Sequence, residues 1–388
     1  MLTSRMFNTS YIEISQSAYK NNIRYLRKIV GKQVRISSVI KGNAYGHGIA
    51  NIVPLAESSG IRHFSVFSAG EAYEALEAAS PDSRIMIMGF LDDEELAWAI
   101  ENGIEFFVFD WGRLEKAVQT AREIGRKARI HLEVETGFNR TGFEYRDIKK
   151  LSAFLKDHAA HYVFEGLCTH YAGAESLANY LRIRNQLTVY RKFSRYLARY
   201  GSTPGVKHTA CSAAALTYPT TIMDMVRFGI AQFGYWPSPE THMFRFRKDT
   251  TSGNELKRLL SWKSRVMVVK EVEEGQFIGY GSSYLANKKT RIAIVPVGYA
   301  NGFSRSLSNT GRVLIRGRRV PVIGTVTMNT MTVNVTDVPG VERGDEVVIV
   351  GRQKRMSISI ASFCEMSNQL NYQLLTRLPA DIPRIMVK

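Results

Sequence analysis

One lysine stands at the end of an apolar run and directly before a glycine-rich turn. Lys41 follows the run of residues 34–40, and three glycines and a tyrosine occupy positions within the next seven residues. The run is short and rich in β-branched residues, which predicts a buried strand with Lys41 at its C-terminal end. A lysine there can simply point into water, but a desolvated lysine has a lowered pKa, and its neutral amine acts as a nucleophile or base. Lys41 is therefore a candidate catalytic residue.

Other polar side chains stand at the ends of later apolar runs. They are Arg140, His170, Ser212 and Arg227. Each has an ordinary structural explanation when taken alone: an arginine pairs with a carboxylate, a buried histidine is hydrogen-bonded, and a serine before alanines caps a helix. Their joint placement at strand ends is harder to explain structurally, so we treat them with Lys41 as one candidate site.

The elements that must position these residues are eight short apolar runs, most of them separated by segments with helical periodicity. The runs lie at residues 34–40, 63–67, 84–88, 105–109, 129–134, 163–169, 206–210 and 226–230. Alternating strands and helices predict a parallel sheet, and eight repeats favour a closed (β/α)₈ barrel, an α/β fold. Active sites of such barrels lie at the C-terminal ends of the strands, where Lys41 is expected.

After residue 245 the pattern changes to strands separated by glycine turns. Such runs occur at 264–269, 291–295, 312–315, 320–323, 331–335 and 345–350. We therefore predict a barrel domain over residues 12–245 and a mainly β C-terminal domain over residues 246–388, with residues 1–11 packing against the latter.

The chain is strongly basic, with 52 Lys and Arg residues against 35 Asp and Glu and a formal net charge of +17. A charge of this size attracts polyanions. In the densest basic stretch, however, apolar residues recur at helical spacing, namely Ile183, Leu187, Tyr190, Phe193 and Leu197. This pattern is typical of an amphipathic helix with a solvated basic face, so we expect no nucleic-acid partner.

The remaining composition argues against a membrane or metal-binding protein. No stretch approaches the roughly 18 apolar residues of a membrane span, and the first eight residues lack the apolar core of a signal peptide. Three cysteines, Cys168, Cys211 and Cys364, are widely spaced, which indicates neither a disulfide framework nor a CxxC metal site. We expect a cytoplasmic protein with no membrane partner and no metal.

The stretch from Ile40 to Gly48 is closely similar to the cofactor-lysine signature of the alanine racemase family, and the resemblance extends from about residue 12 to residue 384. Members of this family bind pyridoxal 5′-phosphate on a barrel lysine and carry a β domain after the barrel. The resemblance implies that Lys41 holds the cofactor and is one of two catalytic bases.

Further residues of the barrel are assigned by the same resemblance. Tyr45 would contact the cofactor phosphate, and Ser212, Gly229 and Ile230 match positions that hold it by hydroxyl and backbone N–H groups. Arg227 would face the pyridine nitrogen. Because a guanidinium donates hydrogen bonds and cannot accept one, it would keep that nitrogen unprotonated and the cofactor a weak electron sink.

The β domain supplies the other half of the implied chemistry. Tyr280 would be the second acid/base and, as in the family, would come from the partner subunit of a homodimer. His170 would lie beside Tyr280 and Arg227 and would assist the proton transfer of Tyr280. Arg140 would bind the substrate carboxylate, with Tyr299 and Met328 at the substrate pocket. The implied reaction is the interconversion of L- and D-alanine, which supplies D-alanine for the cell wall.

Four positions depart from the family pattern. Glu133 stands where many members have a lysine modified to a carbamate, and it could pair with Arg140. Asn329 replaces a usual aspartate, and Cys211 replaces a usual asparagine. Ala380 replaces a pocket tyrosine, which should widen the pocket and remove a phosphate contact.

Several alternatives remain open from the sequence. A racemase of broader or different substrate range, acting on serine, lysine or other amino acids, fits the same motifs. A fold-related amino-acid decarboxylase shares the domain order but should have a carboxylate in place of Arg227. A non-catalytic carrier of pyridoxal phosphate would not need Tyr280, and the net charge keeps a polyanion-binding protein as the alternative outside these classes.

Overall fold

The computed structural model describes residues 8–248, 256–360 and 371–388, apart from the side chains of residues 246–248 and 371. Contacts divide the chain into two compact units. One unit comprises Ser17–Lys41 and Ile49–Arg258. The other comprises the chain up to Gln16, the short segment Gly42–Gly48, and Leu259–Lys388. The second unit thus begins at Leu259, after the predicted start at residue 246, and takes in residues from three separate parts of the sequence.

The regular elements are as follows. The strands are β1 (Ser10–Ser15), β2 (Arg35–Val39), β3 (His63–Val66), β4 (Arg84–Ile87), β5 (Glu105–Val108), β6 (Ala128–Glu133), β7 (Tyr162–Cys168), β8 (Val206–His208), β9 (Met225–Phe228), β10 (Leu260–Arg265), β11 (Val268–Val272), β12 (Thr290–Val295), β13 (Arg312–Ile315), β14 (Arg318–Pro321), β15 (Met331–Asn334), β16 (Glu346–Gln353), β17 (Met356–Ile358) and β18 (Arg384–Val387). The helices are α1 (Gln16–Val30), α2 (Ile49–Glu57), α3 (Ala69–Ala78), α4 (Asp93–Glu101), α5 (Trp111–Ile124), α6 (Ile148–Asp157), α7 (Tyr180–Arg199), α8 (Ser212–Thr217), α9 (Pro239–Lys248) and α10 (Asn371–Thr376).

Strands β2 to β9 form the eight-stranded parallel sheet that the sequence predicts. Its order is β8-β7-β6-β5-β4-β3-β2-β9, so the last strand pairs with the first strand of the series. The ring closes between β8 and β9, where the Arg227 N–H donates to the carbonyl of Ala210 at 3.0 Å. The prediction of a (β/α)₈ barrel is therefore confirmed.

The helices bury the faces that the sequence pattern indicates. Helix α7 buries all five of its predicted apolar positions, and its arginines and lysine face solvent. Helix α4 begins with a capping box in which Asp92 and Glu95 each accept from a backbone N–H, so that two free N–H groups of the first turn are satisfied. No helix among the described residues combines the length and apolar character needed to cross a membrane.

The second unit is mainly β. Strands β14-β13-β16-β10-β1-β18 form one sheet, with β17 paired to β16, and β11-β12-β15 form another. Strand β1 pairs with both β10 and β18, so Ser10–Ser15 belongs to the sheet of this unit. The prediction of one strand over residues 264–269 is wrong: β10 ends at Arg265 and β11 begins at Val268 in the other sheet. A continuous apolar run carries no signal for such a change of sheet, because both strands have the same composition.

Candidate active site

Lys41 lies just beyond the C-terminal end of β2, as the sequence predicts. The Ile40 N–H donates to the carbonyl of Ser65 at 2.8 Å, which ties the strand end to β3. The Lys41 side chain reaches solvent, yet its amine makes no hydrogen bond or ion pair with any described residue. Partial desolvation by surrounding atoms, followed by the positive charges of Arg140 and Arg227, lowers the pKa of Lys41. A larger fraction of Lys41 is therefore in the neutral amine form than for an ordinary lysine at the same pH.

The residues after Lys41 form a turn of left-handed helix. Gly42, Asn43 and Ala44 have φ of 64°, 51° and 52° with ψ of 46°, 51° and 47°, and Tyr45 follows with φ 52°. The Gly46 N–H donates to the carbonyl of Gly42 at 3.0 Å, which closes the turn. For residues other than glycine this conformation costs about 1–2 kcal/mol each, so three such residues in succession must be held by their surroundings.

Within the second unit, several groups hold this turn. The guanidinium of Arg384 donates to the carbonyl of Gly46 at 3.0 and 3.2 Å. The imidazole of His47 is buried and donates to the carbonyl of Tyr45 at 2.9 Å. A Cβ at Gly46 would overlap the carbonyl oxygen of Leu375, so only glycine fits there. Tyr45 itself is buried, with its ring 6.0 Å from that of Tyr372.

Arg227 projects from β9 and is almost fully buried. Its NH1 donates to the carbonyl of His208 at 2.9 Å and to Nδ1 of the same histidine, and its NH2 donates to the carbonyl of Thr169 at 2.8 Å. It makes no ion pair with a carboxylate among the described residues, and no hydrogen bond to the ring of His170. His208 is a partner of Arg227 because it ends β8, the strand next to β9 where the barrel closes.

A chain of buried hydrogen bonds continues from His208 through the barrel interior. Its Nε2 lies 2.9 Å from Nδ1 of His131, and Nε2 of His131 lies 2.8 Å from Oε2 of Glu105. Nε2 of His63 also approaches this oxygen, at 3.1 Å. Burial is the largest effect on the pKa of His131 and His208 and lowers both, so these imidazoles are neutral.

The direction of the chain follows from its two ends. The Arg227 guanidinium can only donate, and an ionised carboxylate can only accept. Each intervening histidine therefore carries its proton on Nε2 and accepts at Nδ1, and every hydrogen bond points from Arg227 towards Glu105. Among the effects on Glu105, burial raises the pKa of the carboxyl but the bonds from His131 and His63 outweigh it, so the pKa falls.

The same three side chains, His63, Glu105 and His131, could in principle bind a metal ion, because their ligand atoms lie within 4.8 Å of one another. Cations already approach the other oxygen of the carboxylate: NH1 of Arg84 lies 3.1 Å and NH2 of Arg129 lies 3.7 Å from Oε1 of Glu105. The Nε2 atoms of His63 and His131 are also both hydrogen-bonded to this carboxylate. We therefore regard this group as a hydrogen-bonded core network.

His170 lies in a cationic environment. Burial, followed by the charges of Arg227, Arg140 and Lys41, lowers the pKa of His170 to about 3, so the imidazole is neutral near pH 7. Its ring packs edge-on against Phe138 at 5.6 Å. These four side chains are four of the five that the sequence analysis placed at the strand ends, Ser212 being the fifth.

Arg140 and Glu133 approach each other only loosely. Their closest atoms are 4.0 Å apart, which is too long for a hydrogen bond, and Arg140 instead lies over the ring of Phe138 at 4.5 Å. Glu133 accepts from the hydroxyl of Thr141 at 2.7 Å, and burial raises its pKa. The guanidinium of Arg140 thus remains exposed and available to a ligand.

Ser212 and the segment after β9 converge on one point. The Ser212 hydroxyl oxygen accepts from the N–H of Gly229 at 3.0 Å and from that of Ala231 at 3.5 Å, on either side of Ile230. The hydroxyl is buried, and its proton has no acceptor among the described residues. A buried donor of this kind, beside backbone N–H groups, suits an oxyanion.

The predicted site residues of the β unit lie on neighbouring turns and are exposed. Tyr280 is 74% exposed, Met328 56% and Tyr299 43%. Hydrogen bonds join these turns: Thr325 Oγ1 donates to the carbonyl of Tyr280 at 3.1 Å, and the Tyr299 N–H donates to that of Thr327 at 3.0 Å. Ala380 is also exposed, and its carbonyl accepts from Arg384 at 2.9 Å.

Sequence reasoning missed the buried network behind Arg227. Its members stand inside predicted strands: His63 and Glu105 begin β3 and β5, His131 lies within β6, and His208 ends β8. Titratable residues inside strands that are buried on both faces were the available signal, since such groups need partners in the interior.

The fold and the site together define a (β/α)₈ barrel with an unpaired amine on Lys41 and a buried hydroxyl on Ser212 near its strand ends, followed by a β domain. The family model for the alanine racemase N-terminal domain matches residues 14–237, and that for the C-terminal domain matches residues 259–386. The alanine racemase of Symbiobacterium thermophilum is 35% identical over 377 residues, which cover 97% of this chain and 96% of that protein. The chain therefore belongs to the alanine racemase family and is an enzyme of that family.

Solved structures agree with this assignment. The crystal structure of alanine racemase from Streptomyces lavendulae superposes with a TM-score of 0.89 at 30% identity, covering 98% of this chain and 97% of the other. The alanine racemase of Bartonella henselae, solved with covalently bound pyridoxal phosphate, has the same fold with a TM-score of 0.84 at 23% identity, and the match covers 98% of this chain and 100% of that one.

Proposed function

We propose that this enzyme interconverts L- and D-alanine with pyridoxal 5′-phosphate as cofactor, and that Lys41 and Tyr280 are its two acid/base groups. The observation that carries the proposal is the group of side chains at the strand ends of the barrel. It combines an unpaired amine of lowered pKa, two arginines without carboxylate hydrogen bonds, and a buried hydroxyl with a proton free to donate. An amine that bonds an aldehyde and a cradle that binds a phosphate are the two features that this cofactor requires.

The residues present fit the cofactor. Lys41 would hold it covalently, and the Ser212 hydroxyl and the Ile230 N–H would bind its phosphate, with the Gly229 N–H orienting the hydroxyl or turning to the phosphate itself. Tyr45 would add a phenol contact to that phosphate. The position of Ser212 supports this assignment because its oxygen already gathers two backbone N–H groups and leaves its own proton to be donated.

When bound, the cofactor withdraws electrons from the α-carbon of the amino acid and so acidifies its α-proton. Once the amino group of the substrate has displaced Lys41 from the cofactor, the released Lys41 Nζ, as the neutral amine, would accept that proton from one face, and the phenol of Tyr280 would donate its own proton to the opposite face. The return reaction uses the Tyr280 phenolate as base and the Lys41 ammonium as acid. A lowered pKa helps Lys41, since a general base works best when its pKa is near the working pH.

Arg227 sets the strength of the electron withdrawal. Its NH1 and NH2 are anchored to His208 and the Thr169 carbonyl, which fixes the plane of the guanidinium. A donor-only cation facing the pyridine nitrogen would keep that nitrogen unprotonated. Weak electron withdrawal favours return of a proton to the α-carbon over side reactions such as transamination, and it also speaks against the decarboxylase alternative.

Arg140 would bind the substrate carboxylate, with Tyr299 and Met328 shaping the pocket. His170, being neutral, would accept or donate a hydrogen bond beside Tyr280 without adding charge. Ala380 leaves more room than the usual tyrosine, so a broader substrate range that includes serine or larger amino acids is the variant of the proposal to test.

We also propose a cytoplasmic homodimer in which Tyr280, Tyr299 and Met328 of one chain complete the site of the other. Their exposure supports this proposal, since large side chains on adjoining turns rarely stay open to water without a partner. Supply of D-alanine for the cell wall is the proposed role.

The central experiment is chiral chromatography of a panel of L-amino acids incubated with the holoenzyme, with alanine expected among the best substrates. Borohydride reduction followed by peptide mapping should place the cofactor on Lys41. Lys41→Ala should lower the rate by roughly 10³-fold or more, whereas Lys149→Ala, at an exposed lysine of α6, should leave it unchanged. A Lys41→Ala enzyme with the wild-type rate would refute the scheme.

A mixing experiment tests the shared site. Lys41→Ala and Tyr280→Phe chains should each be nearly inactive as homodimers. After co-refolding, heterodimers contain one site with both native residues, so about a quarter of the wild-type activity should return. If the mixture stays inactive while heterodimers are present, Tyr280 does not act across an interface.

A further inference from the structure

A cavity of about 360 Å³ opens at the N-terminal ends of β2, β3 and β4, at the other end of these strands from Lys41. Nothing in the proposed racemase mechanism uses it. Its wall carries one acidic side chain, Asp82, and five cationic ones, which belong to Arg27, Lys32, Arg35, Arg62 and Arg84.

Two of these cations have no protein partner. Lys32 lies in the loop before β2, and Arg35 is the first residue of that strand. Neither side chain makes a hydrogen bond or an ion pair with any residue that the structure describes. Two like charges at one opening repel each other, and an anion bound between them would remove that repulsion.

Arg27 is a third cation of the cavity wall without a carboxylate partner among the described residues. Its NH1 donates to the carbonyls of Val34 and Gly31, and no carboxylate forms an ion pair with it among the described residues. Burial lowers the pKa of Arg27, and no acidic neighbour offsets this effect. A half-buried guanidinium held by carbonyls alone retains donors and positive charge for a ligand.

The acidic groups nearby are already neutralised. Asp82 pairs with Arg62 at 2.9 Å. Arg84 pairs with Glu105 at 3.1 Å and with Glu165 at 3.3 Å. The cavity wall therefore has no free carboxylate to repel an anion, and the three remaining cations, Arg27, Lys32 and Arg35, are left without counter-charge.

We propose that this cavity binds a compact anion with two or three linked phosphate groups, such as inorganic triphosphate or the phosphate chain of a nucleotide. A volume of about 360 Å³ falls in the range of small-molecule sites and is large enough for such a chain. Arginine binds phosphate oxygens in pairs, and Gln33 on the wall adds a neutral donor. This site is independent of the proposed racemase function.

The shape of the site favours a compact ligand over a nucleic acid. A duplex presents phosphates along an extended surface and would meet the exposed basic face of α7 more readily than a concave, open cavity at the strand ends. Arg195 and Arg199 on that face are exposed and supply a matched control, since their removal changes the net charge by the same amount.

The test is a calorimetric titration of the full chain, saturated with pyridoxal phosphate, with sodium triphosphate at constant ionic strength. We expect saturable binding at one site per chain. The double variant Lys32→Gln/Arg35→Gln should bind at least tenfold more weakly, and Arg195→Gln/Arg199→Gln should stay within twofold of the wild type. Racemase activity should be unchanged in both variants, because neither pair lies at the proposed catalytic site.

A parallel titration with ATP identifies the recognised group. Binding of ATP with the same dependence on Lys32 and Arg35 supports a site for the phosphate chain. Absence of saturable triphosphate binding, binding of ATP without binding of triphosphate, or equal losses in the two double variants would each overturn the proposal. The last result would mean that the overall charge of the chain attracts anions without a defined site.

Discussion

Replacement of Glu105 by leucine should destabilise the barrel unit strongly. The carboxylate is the common acceptor for the Nε2–H groups of His63 and His131, and Arg84 also donates to it. Leucine leaves the two buried imidazole N–H groups without an acceptor, at about 1–3 kcal/mol each. Loss of one partner from a buried charged network costs about 3–5 kcal/mol in total.

The assay is thermal unfolding followed by far-UV circular dichroism. For a unit of this size the loss corresponds to a Tm lowered by roughly 6–20 °C. Glu105→Gln should fall between leucine and wild type, since its carbonyl can still accept from one histidine and His63 can reverse its tautomer against Ser37, 2.8 Å from Nδ1.

Glu165→Gln is the matched control for this prediction. Glu165 shares Arg84 and Arg129 with Glu105, at 3.3 and 2.6 Å, but its carboxylate has no hydrogen bond to a histidine among the described residues. We expect a loss of about 1 kcal/mol, as for a partly exposed pair. If Glu105→Leu were as stable as Glu165→Gln, the reasoning that the histidines depend on a buried carboxylate would be wrong.

Three further predictions concern the turn, the cradle and pH. Gly46→Ala should prevent the turn from packing, because the added Cβ overlaps the Leu375 carbonyl; loss of cofactor absorbance and a lower Tm would show this, and a stable, cofactor-loaded variant would contradict it. Ser212→Ala should weaken cofactor binding by roughly tenfold or more, measured by equilibrium dialysis, because one donor to the phosphate is lost. Burial lowers the pKa of His47 to about 4 and that of His170 to about 3, so both are neutral in the folded protein and take up protons on unfolding below about pH 6.5. The free energy of unfolding should therefore fall by about 2 kcal/mol for each histidine between pH 8 and pH 5. Urea unfolding at both pH values measures this change, and an equal or greater stability at pH 5 would contradict the prediction.

The sequence predicted the barrel well because its signal is local and repeated. Each of the eight apolar runs became a strand within a few residues of its predicted bounds, and the five apolar positions of α7 are all buried. The polar residues at strand ends were predictable for the same reason, since the topology of a barrel brings all C-terminal strand ends to one face.

Features that depend on long-range partners could not be predicted. The chain from Arg227 to Glu105 links residues more than a hundred positions apart, and no local pattern indicates which histidine meets which strand. The change of sheet between β10 and β11 could not be predicted for a similar reason. Arg140 and Glu133 were close in sequence and expected to pair, but the hydroxyl of Thr141 provides the nearer partner for the carboxylate.

The left-handed turn after Lys41 is supported by groups that lie far away in the sequence. The groups that hold it, on Leu375 and Arg384, follow Gly46 by more than 300 residues. At a synthesis rate of about 5–20 residues per second, the ribosome makes these partners roughly 20–70 s after the turn itself. A nascent barrel therefore carries Lys41 beside an unsupported, strained segment until Leu375 and Arg384 have been made. Capture of the proposed cofactor on Lys41 should therefore follow the synthesis of Leu375 and Arg384.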